Sequence, residues 1–161
     1  AGERFRLRGK TASGETLERE VAMEDLPLDF DSLAAAGSMA GSGGVIVFND
    51  RRDMVSALAN ISEFYANESC GQCSPCREGT FWMAEILRRM AASRGRPGDV
   101  ELLLEIAGRI TGRTICAFGD ACAWPVQSFV EKFREEFEAK CRMSPKDTVQ
   151  EPVAAGIIPP D

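Results

Sequence analysis

Residues 69–80 of this 161-residue chain read SCGQCSPCREGT, the densest run of cysteines in the sequence. Its three cysteines recur at every third position, separated by small or turn-forming residues, and they are Cys70, Cys73 and Cys76. A loop of this kind can bring several soft sulfur ligands to one metal site. The pattern therefore predicts that residues 69–80 wrap one face of a metal cluster and that the rest of the chain supports this loop.

The overall composition restricts the kinds of function that this chain can have. The chain is 44% hydrophobic and 27% charged, as soluble globular proteins are, and its net charge of −6 argues against nucleic acid as the main partner. It has no histidine, which excludes a Ser/His/Asp triad and metal sites that need imidazole. No apolar run approaches the roughly 20 residues of a spanning helix, so we expect no direct membrane insertion. Because half of the six cysteines crowd into one loop and the N-terminus does not resemble a signal peptide, a metal site is a better interpretation than disulfides.

The first 49 residues have the pattern of a small β-containing unit. Apolar and basic residues alternate over residues 4–8, which predicts a short strand. A second alternation, at Leu17, Val21 and Met23, predicts a strand that returns antiparallel. Such a unit is too small to bury a core by itself.

A short helix and a glycine-rich run follow in the same unit. Asp31 stands where an N-cap would begin a helix over residues 32–36. The glycine-rich residues 41–44 precede an apolar run, residues 45–48, that predicts a further strand. A dinucleotide fingerprint would follow a strand and open a helix, so this order favours a structural loop over a phosphate site.

Residues 50–143 have the apolar period of four helices joined by short loops. Asn49 or Asp50 would cap the first helix, and Pro125 would stand at the start of the fourth. The apolar positions at helical spacing are Met54, Val55, Leu58, Ile61, Phe64, Tyr65, Trp82, Ile86, Leu87, Met90, Val100, Leu103, Leu104, Ala107, Ile110, Val126, Phe129, Val130, Phe133 and Phe137. Such helices form a small bundle. Residues 144–161 are rich in proline and small residues and predict an extended tail.

The cysteine loop lacks a fourth ligand of its own. Three cysteines at this spacing are typical of a cubane [4Fe–4S] cluster, and in bacterial ferredoxins a fourth cysteine follows, where this chain has Thr80. Cys116 is the preferred fourth ligand because it lies in a predicted loop, residues 111–120, and Cys122 is the fallback. Cys141 continues the stripe of the fourth helix and is interpreted as a buried core thiol or a fraying helix end.

The residues alone leave other interpretations of the thiols open. A zinc site of four cysteines in a structural interaction module is one, since such sites can have irregular spacing, although no second Cys-x-x-Cys knuckle is present. Disulfides or free reduced thiols are another. A thioredoxin-type redox motif is less favoured because its βαβ context is missing.

Several residues near the cysteines have properties that suit a negatively charged cluster. Backbone N–H groups can donate to cluster sulfurs, and the candidate donors are Gly71, Gln72 and Gly79. Arg77 could offset the negative charge or be a solvated residue at a helix start. Trp82 and Trp124 could exclude water from the site, although core aromatics are the commoner case. Asp120 would cap the last helix, and Gly119 would allow an unusual backbone conformation.

Two motifs resemble one protein family. Residues 69–80 and residues 116–129, which read CAFGDACAWPVQSF, are similar in order and separation to the flavin-carrying, NADH-oxidising F subunit of bacterial NADH:quinone oxidoreductase, or respiratory complex I. Related subunits occur in NAD-dependent formate dehydrogenases and NAD-linked hydrogenases. The resemblance extends over residues 25–140, whereas residues 1–24 fit it poorly.

The resemblance implies a fold and a set of ligands. The implied fold class is α+β: a small β-grasp (ubiquitin-like, SLBB-type) unit in residues 1–49, then a four-helix bundle in residues 50–143 that carries an iron–sulfur cluster. The implied [4Fe–4S] ligands are Cys70, Cys73, Cys76 and Cys116. Where family members usually have a small residue, this chain has Cys122, and the resemblance gives that thiol no role.

The resemblance also implies a place in a larger oxidoreductase. In the family, FMN and NADH bind a larger N-terminal domain, so we expect FMN and NAD only on a domain or partner outside this chain. The expected function is electron transfer in an NADH dehydrogenase, from FMN through the cluster to further Fe–S centres in partner subunits. The expected location is the cytoplasm, at the inner face of the cell membrane through those partners. No residue of this chain is expected to act as a catalytic acid, base or nucleophile.

Overall fold

The computed structural model describes residues 4–10, 16–36 and 38–141. The chain divides into two units, Ala1–Asn49 and Asp50–Asp161, each with its own internal contacts. The predicted tail, residues 144–161, lies outside the described residues.

An antiparallel hairpin forms the first part of the N-terminal unit. Strand β1, Arg4–Lys10, pairs along its whole length with strand β2, Thr16–Ala22. The alternation of apolar and polar residues predicted both strands and their antiparallel direction, and the structure confirms this prediction. Met23 was expected in the second strand, but it begins a 3-10 turn that ends at Asp25.

Helix α1, Phe30–Ala35, follows the hairpin and lies beside β1. Its N-cap is Asp29, whose Oδ1 accepts the Ser32 N–H at 2.7 Å, so the prediction of Asp31 as the cap was wrong. The free N–H groups of a helix lie in its first turn, and a carboxylate reaches them from the residue just before that turn. Asp31 already stands inside the turn.

The strand predicted at residues 45–48 does not form. These residues have no regular structure, and Val47 at their centre is 88% exposed. In the described part of this unit the sheet has two strands, β1 and β2, and residues 45–48 pair with neither of them. The described hairpin and α1 therefore do not confirm the β-grasp unit that was expected.

Helices make up the regular structure of the described part of the second unit. In chain order they are α2, Met54–Glu68; α3, Ser74–Ala91; α4, Asp99–Ile110; α5, Phe118–Lys132; and α6, Arg134–Lys140. The four predicted helices correspond to α2–α5. The stripe that was expected to run through Phe137 in one helix is divided, because Phe133 leaves the helical conformation between α5 and α6.

The apolar sides of these helices meet in one core. Fully buried members of this core are Val55, Leu58, Leu87, Met90, Leu103, Val126, Val130 and Phe137. Gly79 lets α3 and α4 approach closely, because a Cβ at that position would lie 2.6 Å from Ile110 Cδ1. Dense packing of this kind removes apolar surface from water, which stabilises a fold by roughly 25 cal/mol per Å². Among the described residues, no helix combines the length and apolarity that crossing a bilayer requires.

The start of α2 differs from the start expected from the sequence. Its N-cap is Asp53 rather than Asn49 or Asp50, and Asp53 Oδ1 accepts the Val55 N–H at 3.0 Å. Asp53 Oδ2 also accepts the Lys140 ammonium at 2.7 Å, so this cap is joined to α6. The later start of α2, at Met54, is thus accompanied by a contact from α6, near the C-terminal end of the described residues.

The start of α5 also differs from its prediction. Pro125 was expected in the first turn, but α5 begins at Phe118 and Pro125 lies inside it. A proline in a helix interior cannot donate to the carbonyl four residues before it, here Ala121. The helix continues through Pro125 despite the missing bond. The preference of proline for the first turn of a helix therefore gave the wrong start for α5.

Candidate metal centre

The first cysteine segment, residues 69–76, runs from a loop directly into α3. Cys70 is exposed in the loop, Cys73 occupies the N-cap position of α3, and Cys76 is buried in its first turn. Gly71 has φ +76°, and this left-handed conformation turns the chain between the first two cysteines. The helix therefore begins inside the run that was expected to be a loop.

Side chains of Ser69 and Arg77 hold the first segment. Ser69 Oγ lies 3.4 Å from Cys76 Sγ, and Arg77 Nη1 donates to the Gly71 carbonyl at 2.7 Å. Arg77 Nε also donates to Glu78 Oε1 at 2.9 Å, so much of its charge is paired. Arg77 thus joins the loop to α3. This role differs from both predictions, which were charge compensation and a solvated residue at a helix start.

The second cysteine segment, residues 111–117, connects α4 to α5 and carries Cys116, which is exposed. Gly112, at φ +69°, turns the chain, and its N–H donates to Asp120 Oδ1 at 2.7 Å. Thr114 Oγ1 donates to the Cys116 carbonyl at 2.9 Å. Asp120 was expected to cap α5, but it stands in the first turn of α5 and reaches back to the segment.

Gly119 has a different role from the one expected. It lies inside α5, so it supplies no unusual backbone conformation. A Cβ at Gly119 would overlap the hydroxyl oxygen of Thr114 and lie 2.5 Å from its methyl carbon. The absence of a side chain at Gly119 therefore lets the second segment pack against α5.

One hydrogen bond joins the two segments. The Ile115 N–H donates to Cys73 Sγ, with the nitrogen 3.4 Å from the sulfur. Because Cys116 directly follows Ile115, this bond holds the backbone next to the distant cysteine against Cys73 of the first segment. Gly71, one of the expected donors, directs its N–H to Ser69 Oγ instead.

The two remaining cysteines lie in more enclosed environments. Cys122 is buried in the core, and its thiol donates to the Gly119 carbonyl at 2.9 Å. Burial, with Cys76 nearby, raises the pKa of the Cys122 thiol to about 12. Cys141 packs against the core at the end of α6, as its sequence position predicted, and burial raises its pKa to about 11. Both thiols therefore hold their protons more tightly than an ordinary cysteine does.

The two tryptophans near the cysteines are surface residues. Trp82 is 52% exposed and Trp124 is 42% exposed, so the interpretation of both as core aromatics was wrong. Trp82 lines a groove of about 510 Å³ between α3 and α4. That Trp82 and Trp124 exclude water from a metal site stays a prediction.

The thiols of the two segments do not meet at a single point. Within residues 4–10, 16–36 and 38–141, no three cysteine, aspartate or glutamate side chains converge where one ion could bind. A structural zinc ion needs its four ligands at about 2.0–2.3 Å from one centre. A cubane cluster takes each thiolate at a separate iron, so its ligands stand further apart.

Fold and site together define a class of protein: a helical domain that presents a thiol-rich loop and, from a neighbouring loop, one distant cysteine. Comparison with known families then identifies the family within this class. Residues 56–140 match the NADH-ubiquinone oxidoreductase-F iron–sulfur binding region, and the chain belongs to this family.

The similar curated proteins are F subunits of NADH-quinone oxidoreductase. The chain is 48% identical over 117 residues to the F subunit from Rickettsia bellii (strain OSU 85-389), and 46% identical over 118 residues to the one from Rickettsia massiliae (strain Mtu5). Each match covers 73% of this chain and 28% of the relative. The chain therefore spans less than a third of the length of these relatives.

Solved structures give a similar result. The NAD+-reducing [NiFe]-hydrogenase in its H2-reduced state superposes with a TM-score of 0.61 at 30% identity, covering 89% of this chain and 24% of that chain. Its air-oxidised state superposes with a TM-score of 0.60. The family resemblance that the two cysteine motifs indicated is therefore confirmed.

Proposed function

We propose that this chain is the iron–sulfur module of an NADH dehydrogenase and transfers electrons through one [4Fe–4S] cluster. The match of residues 56–140 to an iron–sulfur binding region is the observation that carries the proposal. The proposed ligands are Cys70, Cys73, Cys76 and Cys116. When bound, the cluster would accept and release single electrons, while the protein sets its position, solvent access and potential.

The arrangement of the two segments supports this ligand set. The Ile115 amide on Cys73 Sγ brings Cys116 to the first segment, although the two cysteines are far apart in sequence. Cys116 and Cys70 are exposed and free to bind, whereas Cys122 is buried and donates to a carbonyl. Cys73 and Cys76 stand at the start of α3, where the positive end of the helix dipole favours negative charge.

The proposed electron donor is a reduced FMN on an NADH-binding domain, and the proposed acceptors are Fe–S centres of partner subunits. This chain matches only 28% of the Rickettsia bellii relative, so most of that protein has no counterpart here. The FMN and NAD sites are proposed to lie in that remaining part or in a partner. The hairpin and α1 are proposed to belong to a β-grasp unit, and the assembled complex to lie at the cytoplasmic face of the cell membrane.

Redox titration of the anaerobically reconstituted chain tests this function. We expect iron and sulfide to restore a centre that takes up one electron reversibly and shows a low-temperature EPR signal when reduced. The chain alone should not oxidise NADH, because the flavin lies elsewhere. A centre that stays redox-silent over about −700 to +450 mV, the span of Fe–S potentials, would overturn the proposal. Tightly bound zinc without iron after aerobic purification would point instead to a structural interaction module.

A further inference from the structure

We propose that Thr114, packed on Gly119, is a positioning residue that keeps the Ile115 amide on the Cys73 sulfur and so raises the reduction potential of the cluster. This inference rests on the proposed function, because it concerns the cluster that the two segments would hold. It adds a determinant of the potential that lies outside the cysteines.

Two contacts fix the Thr114 side chain. Its hydroxyl donates to the Cys116 carbonyl at 2.9 Å, and its methyl group packs where a side chain at Gly119 would stand. Threonine is branched at Cβ, so few side-chain conformations satisfy both contacts. Thr114 therefore joins the backbone just beyond Ile115 to the first turn of α5.

The Ile115 side chain does not hold its own backbone in place. That side chain is 85% exposed, so burial contributes little to its position. The segment is anchored before Ile115 by the bond from the Gly112 N–H to Asp120 Oδ1, and around it by Thr114. The orientation of the Ile115 amide thus depends on contacts made by its neighbours.

The Ile115 amide has a defined electrostatic effect on a ligating sulfur. An N–H···S bond places partial positive charge beside the thiolate, which stabilises the more negative, reduced cluster. The nitrogen lies 3.4 Å from Cys73 Sγ, so a shift of the segment away from Cys73 lengthens and weakens this contact. Losing the bond makes the potential more negative without removing any ligand.

The test compares variants of the reconstituted chain by EPR-monitored redox titration and by the rate of iron loss to a chelator. Thr114→Val keeps the methyl contact at Gly119 but removes the hydroxyl, and Thr114→Ser keeps the hydroxyl but removes the methyl group. Gly119→Ala displaces Thr114, while Gly108→Ala is its matched control, since Gly108 lies in α4 with open space around it. We expect Thr114→Val and Gly119→Ala to shift the potential to more negative values and to lose iron about 10-fold faster. Thr114→Ser, which keeps the hydroxyl bond but not the methyl contact, should lie between wild type and Thr114→Val, and Gly108→Ala should retain the wild-type potential.

The outcomes separate this inference from the proposed function. Wild-type chain that assembles no iron–sulfur cluster overturns both. If Thr114→Val binds the cluster and titrates at the wild-type potential, the positioning role of Thr114 is wrong and the proposed function stands. A Thr114→Val chain that keeps its circular dichroism spectrum but loses iron, with partial recovery in Thr114→Ser, supports the role. If Gly119→Ala does not fold, the Thr114 pair alone decides.

Discussion

The two cysteine segments are held in place by different means. The first runs into α3, so helical geometry sets the positions of Cys73 and Cys76. The second is a loop in which Cys116 depends on bonds made by Thr114 and Asp120. Helical backbone geometry thus places one half of the site, and side-chain hydrogen bonds within and beside the loop place the other half. We therefore expect the second segment to be the more sensitive to changes of single side chains.

The largest expected effect is the loss of the cluster from Cys116→Ser. Removing the thiol of the second segment leaves the first segment with three ligands, so iron and acid-labile sulfide should fall to a small fraction of the wild-type content. Cys141→Ser is the matched control, and it should retain full iron because Cys141 lies outside both segments. If Cys122→Ser loses the cluster and Cys116→Ser keeps it, the fourth ligand is Cys122 and the comparison of segments fails.

The next effect tests α3 as the support of the first segment. Leu87 is fully buried, so Leu87→Ala should lower the free energy of unfolding by about 2–5 kcal/mol, through lost burial and a cavity. Leu102 is 41% exposed, and Leu102→Ala should cost less than about 1 kcal/mol. Urea denaturation under anaerobic conditions measures both. Equal losses would mean that the bundle core does not support the site as described.

A third prediction compares one anchor from each segment. Asp120→Ala removes the acceptor of the Gly112 N–H, and we expect iron loss to a chelator to become about 10-fold faster. Arg77→Ala removes the bond to the Gly71 carbonyl, but α3 still places Cys73, so the acceleration should be smaller. Asp120→Asn keeps an acceptor oxygen and should behave like wild type. A larger effect of Arg77→Ala would reverse the order of sensitivity that the structure indicates.

The smallest effect is a dependence on alkaline pH that arises outside both segments. Burial, with Asp99 and Glu101 nearby, raises the pKa of the Cys141 thiol to about 11, above its ordinary value of 9.0. The folded chain therefore holds this proton more tightly than the unfolded chain, so its stabilising contribution is complete below pH 9 and is lost as pH rises through about 11. Urea midpoints should fall less between about pH 8 and 11 in Cys141→Ala than in wild type. The same fall in both would show that the Cys141 thiol has no such role.

Periodicity predicted the helices of the bundle because their core is made of regularly spaced apolar side chains. Leu58, Leu87 and Leu103 were all expected on apolar stripes, and all are fully buried. The same reasoning failed at residues 45–48, where an apolar run stays exposed and pairs with neither strand of the hairpin. An apolar pattern indicates that residues favour burial. A strand or helix forms there only if a neighbouring element packs against those residues.

The sequence also indicated the cysteines but not the contacts that orient them. Thr114 and Ile115 show no motif, because Ile115 donates to a sulfur that is distant in the chain and Thr114 acts through its packing against the first turn of α5. Gly119 was noted for backbone freedom, yet it matters through the space it leaves for Thr114. Asp53 was missed as a cap although its bonds to the Val55 and Ser56 N–H groups are local, and its bond to Lys140 of α6 is distant in the chain. Such pairings become visible only once the helices are packed.

Native mass spectrometry of the anaerobically reconstituted chain tests most directly the central claim, that both segments bind one cluster together. The prediction is a single species that carries about four irons and four sulfides per chain, the content of one cubane. The same measurement on Cys116→Ser should show the chain without that added mass. A single zinc ion on the wild-type chain, or a complete cluster on Cys116→Ser, would contradict the account.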